Sequence, residues 1–441
     1  MYNYDNRYYV QGNVRRDGSS RFAKANRWGT FLSASAGWVF TEEPFMKQFK
    51  DIVNHGKIRL SYGELGNERI NGYYPYQAVL NSNNTVAYQG STLVPTTGYS
   101  QSAAVVSDIT WESTATSDLG LDLQMFKDRL SFTGDIYYKK TSDMLLTVPI
   151  APIIGLSDPY DNVGDMNTKG WELTLGWRDM IGDFSYSVSA NISNEVSKVG
   201  YIGGKRIISG GKIIEEGVEY ESWYGYKSDG LYQTQEDINN SATVGTVYPG
   251  DIKYVNIADA DPTSPLISTE YDRVVLGSSL PHYNYGGTVD MAWKNFDFNL
   301  SFQGVGKRNA YLTEEMVEPL RGQWYNVPSI LAGKSWSRVN TVEENLNAKY
   351  PRYSWNSEGN NYAISDFWII NGAYFRIKDI TLGYTLPEKL TNKFYVKGLR
   401  FSATLSDFFT FSHFPKGWDP EVGTASYPIT KSVLFSAQIK F

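Results

Sequence analysis

The chain has 441 residues, including 33 Tyr, 21 Phe, 12 Trp and 40 Gly but no Cys, and carries a formal net charge of −6. The missing cysteines exclude a disulfide framework and any thiolate metal site, and the acidic balance leaves no basic footprint for nucleic acid. Aromatics at 15% within a hydrophobic fraction of only 41% suit strands better than Leu- and Ala-rich helices.

No run of about 18 apolar residues occurs, which excludes a transmembrane helix. A β-barrel stays open as a reading, because each of its strands needs only about 9–11 alternating residues. The opening Met1-Tyr2-Asn3-Tyr4-Asp5-Asn6-Arg7 has no basic segment followed by an apolar run, so no signal peptide is read there.

In chain order, Arg7–Val14 reads as the first strand. Trp28, Leu32, Ala34, Ala36, Trp38 and Phe40 mark the apolar face of the next, followed by Ile58, Leu60 and Tyr62. Leu119, Leu121, Leu123 and Met125 alternate with Asp118, Gly120, Asp122 and Gln124. Leu130, Phe132, Gly134, Ile136 and Tyr138 then back onto Ser131, Thr133, Asp135 and Lys139. Trp171, Leu173, Leu175 and Trp177 oppose Glu172, Thr174, Gly176 and Arg178. Phe184, Tyr186, Val188, Ala190 and Ile192 oppose Ser185, Ser187, Ser189 and Asn191. After a strand beginning near Tyr283, Phe296, Phe298, Leu300 and Phe302 back onto Asp297, Asn299, Ser301 and Gln303. Ile380–Leu386, Leu399–Leu405 and Val433–Phe441 complete about twelve strands with period-2 alternation.

A single such strand fits a soluble sandwich, apolar face to a core, as well as a barrel, apolar face to lipid. The connections separate the two. Lys127-Asp128, Met180-Ile181-Gly182-Asp183 and Lys294-Asn295 are hairpin-length, whereas 67–115, 141–170, 196–281 and 304–372 are long. Alternation of short and long connections predicts an antiparallel transmembrane barrel with short periplasmic turns and long outer loops. On that polarity Arg7–Val14 runs outward and Phe441 ends at the periplasmic rim. The competing expectation is a soluble or surface-attached β-rich glycan-binding protein.

The period-2 pattern puts Glu172, Arg178, Asn191, Asp297 and Gln303 on the lumen face. Trp28, Trp38, Trp171 and Trp177, near strand ends, fit an interfacial girdle. Trp223, Trp324, Trp336 and Trp355 fall in long loops, where a ring stacks on a sugar, anchors a partner or packs the loop itself. His55, His282 and His413 lie far apart, and neither H-E-x-x-H nor G-x-S-x-G occurs, so no enzyme is read. The glycine pairs before Lys205 and Lys212 lack P-loop spacing and read as turns.

Several motifs together resemble the SusC/RagA group of TonB-linked outer-membrane proteins of Bacteroidetes. They include Val14-Arg15-Arg16-Asp17-Gly18, Arg59-Leu60-Ser61-Tyr62-Gly63 and Thr110-Trp111-Glu112-Ser113. Lys169-Gly170-Trp171-Glu172-Leu173, Asp229-Gly230-Leu231-Tyr232-Gln233 and Pro249-Gly250-Asp251-Ile252-Lys253-Tyr254 continue the series. It closes with Phe375-Arg376-Ile377-Lys378-Asp379 and Gly417-Trp418-Asp419-Pro420-Glu421.

The resemblance implies a plugged barrel of about 22 strands in the Gram-negative outer membrane. It implies import of a glycan or peptide ligand driven by TonB, with a SusD-like surface lipoprotein as lid and no cofactor. It also implies that residues 1–441 are the C-terminal part of such a barrel. Signal peptide, TonB-interacting segment, plug and early strands would lie outside it, and TonB would act only through that N-terminal region. Unpaired sheet edges cost several kcal/mol per group in hydrocarbon, so either other strands complete the wall or about twelve close into a smaller barrel. Relatives carry an EF-hand-like loop where this chain has Asp259-Ala260-Asp261. Prolines stand where the loop's Gly belongs, so Asp259 and Asp261 read as calcium candidates or as part of an ordinary acidic loop.

Overall fold

The computed structural model describes residues 1–70, 73–101, 103–257, 266–322, 324–354, 361–423 and 427–441. Thirteen strands form one sheet in which each pairs with the next in sequence. They are β1 (Tyr2–Tyr4), β2 (Tyr8–Gly18), β3 (Trp28–Trp38), β4 (Val53–Asn67), β5 (Glu112–Met125), β6 (Leu130–Ser142) and β7 (Met166–Ile181). Next come β8 (Phe184–Val199), β9 (His282–Trp293), β10 (Phe296–Lys307), β11 (Tyr374–Thr385), β12 (Gly398–Ser412) and β13 (Ser432–Lys440). The short β1 is the strand that sequence alternation does not register.

Connections of a few residues (5–7, 126–129, 182–183, 294–295) alternate with 68–111, 143–165, 200–281, 308–373 and 413–431. In an antiparallel meander this puts every long connection at one end of the sheet. Of the three intermediate connections, 19–27 falls at the long-loop end, while 39–52 and 386–397 fall at the short end and hold only 3-10 turns and one four-residue helix.

The chain divides into two compact units. The first comprises Met1–Thr174, Glu195–Ile207 and Ile214–Val218. Its registers align Ala36, Leu60, Leu119 and Ile136 in one cross-strand row, and Gly37, Arg59, Gly120 and Asp135 in the adjacent row on the opposite face. The loop 68–111 carries a separate hairpin, Leu80–Gln89 with Thr92–Gln101. A small core of Phe22, Ile70, Ile109 and Leu145 gathers within the loops.

The second unit comprises Leu175–Asn194, Ile208–Ile213 and Glu219–Phe441. Val188, Val289, Leu300, Ile380, Leu405 and Val433 line up across six strands. One residue along, Ser187, Asp290, Asn299, Thr381 and Thr404 form the polar row of the other face.

Leu60, Leu119, Ile136, Val188, Leu382, Phe401 and Val433 are all exposed. A soluble sandwich would bury that face, because exposed apolar area forfeits about 25 cal/mol per Å². The soluble glycan-binding reading therefore fails on the wall itself. The buried apolar core of this unit lies in the loops, where Tyr226, Leu231, Ile252, Tyr254, Leu312, Met316, Trp336, Tyr362 and Trp368 pack together. No helix among the described residues is long and apolar enough to cross a membrane.

Candidate functional site

The polar face of the wall is a network of paired charges. In the first unit Arg59 reaches across Gly120, donating to Asp122 Oδ2 at 2.7 Å and pairing with Asp135 Oδ1 at 2.8 Å. Tyr137 and Lys139 both donate to Glu195 Oε2, at 2.8 and 2.7 Å, and Glu172 stands exposed on its strand. In the second unit Arg400 forms a two-pronged pair with Asp297, and Asn299 donates to Asp290 at 2.6 Å. Arg178 and Asn191 are exposed on this unit's strands. Pairs this solvated contribute little stability each; they keep a water-facing surface polar without leaving charge unpartnered.

Towards the long-loop end the alternation breaks. Ile377 pairs with Phe409 but Asp379 with Ser406, and β10 shifts register at the same place. Asp407, the extra residue on β12, has φ +59°. Such a bulge re-aims the side chains beyond it. Here it turns the even-numbered Arg376 inward, although Ile380 and Leu382 on the same parity belong to the apolar row.

Arg376 is fully buried. Its guanidinium donates to Thr410 Oγ1 at 3.0 Å, to Glu421 Oε2 at 2.7 Å and to Asp419. Gln303 adds a 3.2 Å bond to Glu421, and Arg308 donates to the Pro420 carbonyl at 3.2 Å. The segment Asp419-Pro420-Glu421 of the last loop is thus clamped to β10 and β11, while Trp418 of the same loop packs on the loop core. Gln303, predicted as lumen-facing, serves this clamp.

A second hub organises the loop core. Asp251, buried, accepts from Arg352 Nε at 2.7 Å, Asn361 Nδ2 at 2.8 Å and the Tyr248 N–H at 2.8 Å. Asn361 in turn accepts from the Ile252 N–H at 2.8 Å. Gly250 before it has φ +94° and lies under the Trp336 ring, so a side chain there would be both strained and obstructed. Burial among these loops pushes the Tyr232 hydroxyl up to about 12, helped by the carboxylates of Asp237 and Asp251. Burial likewise raises Tyr254, Tyr311 and Tyr362.

The four loop tryptophans separate. Trp336 is buried in the core, its indole N–H donating to Gln233 at 3.3 Å. Trp223 is half-buried, bonded to the Asn309 carbonyl at 2.7 Å and packed on Tyr311. Trp324 is 91% exposed. Trp355 lies outside the described residues, as do Asp259 and Asp261. Asp272, downstream of that acidic loop, is buried and accepts the N–H groups of Ile257 (2.6 Å) and Ser268 (2.7 Å), which makes it a loop anchor. His282 sits between Asn194 and Glu219. Among the described residues no His, Asp and Glu gather as a metal site.

Sequence reasoning gave no role to Arg376, Asp251, Arg352 or Asn361. Arg376 and Asp251 do lie in quoted motifs, and a charge flanked by Phe375 and Ile377, or set between Gly250 and Ile252, was the available signal.

An antiparallel wall with an exposed apolar face, a charged and hydroxylated opposite face and all long loops at one end defines an outer-membrane β-barrel protein. The chain belongs to the TonB-dependent receptor β-barrel family: the family model described as "TonB dependent receptor-like, beta-barrel" matches residues 1–406. That membership places it in the outer membrane, among receptors and transporters rather than enzymes.

It is 30% identical over 434 residues to TonB-dependent receptor P3 of Formosa agariphila, covering 95% of this chain and 41% of that protein. It is 28% identical over 455 residues to TonB-dependent receptor SusC of Bacteroides thetaiotaomicron, covering 99% and 42%. Among solved structures, that of the RagAB peptide transporter superposes with a TM-score of 0.80 at 23% identity, covering 99% of this chain and 46% of that one. The chain therefore spans less than half the length of the relatives it matches, and the last likeness speaks for the fold.

Proposed function

We propose that these 441 residues supply wall and outer loops to a SusC-like, TonB-dependent importer of glycan or oligopeptide nutrients, with a SusD-like lipoprotein seated over the loops. The observation that carries this reading is the loop assembly of the second unit. It buries its own aromatic core and is clamped by Arg376 to the end of a wall whose apolar face looks outward. A surface built this firmly on the outer end of a barrel suits capture of a ligand and docking of a lid. The edges β1 and β13 each pair on one side only, and in this reading further strands of the same receptor satisfy them, since unpaired backbone is untenable in hydrocarbon. The lumen-face residues Glu172, Arg178, Asn191, Asp297 and Gln303 line the polar side of the passage, and Trp324 is a loop aromatic exposed enough to touch a ligand or lid.

The test is deletion of the gene for the whole receptor, followed by growth on single glycans and peptides and pull-down through a tag after Phe441. Loss of growth on one nutrient class, with a lipoprotein recovered alongside the receptor, is the expected result. Unchanged growth on every nutrient the parent strain uses would refute import.

A further inference from the structure

We propose that the loop segment 333–353 is a binding cleft for an acidic oligosaccharide, one bearing carboxylate or sulfate groups. This rests on the import reading and narrows its ligand class. The segment folds back on itself, with the Lys349 and Tyr350 N–H groups donating to the Lys334 carbonyl at 2.9 and 3.2 Å and the Trp336 N–H to the Tyr350 carbonyl at 3.0 Å. Its tip is stitched by Asn345, which exchanges hydrogen bonds of 3.0 and 2.9 Å with the Ser337 backbone and accepts from Asn340 at 3.1 Å. The loop is thus preorganised, which reduces the ordering cost of binding. It encloses an open cleft of about 1030 Å³, large enough for several sugar units.

The charge in this cleft is lopsided. Lys334, Arg338, Lys349 and Arg352 line it, against Glu343 and Glu344. Glu344 closes the capping box of the helix Val342–Leu346, accepting from the Thr341 N–H at 2.7 Å and its hydroxyl at 2.9 Å, bonds that fix its position and favour its charged form. Arg352 is committed to Asp251. Lys334, Arg338 and Lys349 have no carboxylate within 4.0 Å among the described residues, and Glu343 and Glu344 together offset only part of their charge.

Lys334 and Lys349 emerge from hydrogen-bonded backbone neighbours. Like charges side by side are unfavourable, and in a chain of net charge −6 nothing in composition demands them there. An anion relieves the repulsion. Asn340, Asn347 and the exposed Tyr353 ring also line the cleft, offering amide groups and a flat apolar face of the kind sugar rings use.

The experiment is calorimetric titration of the full-length receptor, in detergent, with tetragalacturonate at low and high salt. Maltotetraose and a tetra-aspartate peptide serve as controls. Expected are salt-sensitive binding of tetragalacturonate, weakened about tenfold or more in the K334Q/R338Q/K349Q triple variant, and tighter binding in Glu343→Gln. All these side chains are exposed, and an unchanged melting profile checks that the variants fold. Equal affinity of wild type and triple variant, or equal affinity for maltotetraose, overturns the cleft; preference for the peptide overturns its saccharide assignment. Loss of tetragalacturonate binding in the variant with no growth phenotype on deletion of the receptor gene would instead sink the import reading alone.

Discussion

Phe296, Leu382, Phe401 and Trp368 are all large apolar residues of the second unit, yet the first three are 47%, 55% and 48% exposed and the last only 1%. The three belong to the wall and the fourth to the loop core. A strand of this wall leaves its apolar side chains outside because lipid is their solvent, so burial within the protein gains nothing for them. The loops stand in water and must bury theirs, as any soluble domain does. One chain therefore obeys two solvation rules within a few residues, and the Arg376 clamp marks where they meet.

That contrast can be broken from either side. The largest effect is expected for Trp368→Ala, which removes the ring stacked between Tyr350 and Tyr362 and costs the loop core about 3–5 kcal/mol. Limited proteolysis should then cut segments 200–281 and 308–373 while the barrel still shows heat-modifiable migration. Arg376→Ala strands Asp419 and Glu421 beside a buried void, at about 3–5 kcal/mol. Cleavage confined to 413–423 would report it, and an unchanged digest would mean that Trp418 alone holds that loop.

Val188→Lys attacks the wall, where a lipid-facing cation near the midplane costs about 2–4 kcal/mol. Reduced assembly into outer membranes, with soluble-loop digestion otherwise normal, is the expected signature. Undiminished assembly would reverse the face assignment.

Alkali offers a gentler separation. The folded loop core keeps the Tyr232 proton up to about 12, against an ordinary value of 10.0. Between these values the folded loops hold more protons than the unfolded chain, so stability is fully present below pH 10.0 and falls as pH rises through that window. Tyrosinate absorbance and loop proteolysis should change together there. The smallest effect is expected for Trp324→Ala, within about 0.5 kcal/mol of neutral for stability; any larger loss must then appear in ligand or lid affinity.

Much of the wall was legible in advance, since alternation such as Leu119, Leu121 and Leu123 against Asp118 and Asp122 reports two solvents directly. The breakpoints were not. Nothing local announces that Lys378 and Asp407 form a bulge, so period-2 counting puts Arg376 on the wrong face. The loop tryptophans show the same limit. Trp336 and Trp324 occur in similar Ser-, Gly- and Asn-rich surroundings, and only the packing around Gly250 makes the first a core residue and leaves the second in water.

By itself, then, the sequence determined the strand class, the two faces and the sorting of short and long connections, because a strand's period and its solvent are local properties. Tertiary structure decided the inward turn of Arg376, the Asp251 hub joining residues more than a hundred positions apart and the cations gathered in the 333–353 cleft. Each depends on which distant segments share a backbone ladder or a buried carboxylate, and such long-range pairings leave no periodic trace along the chain.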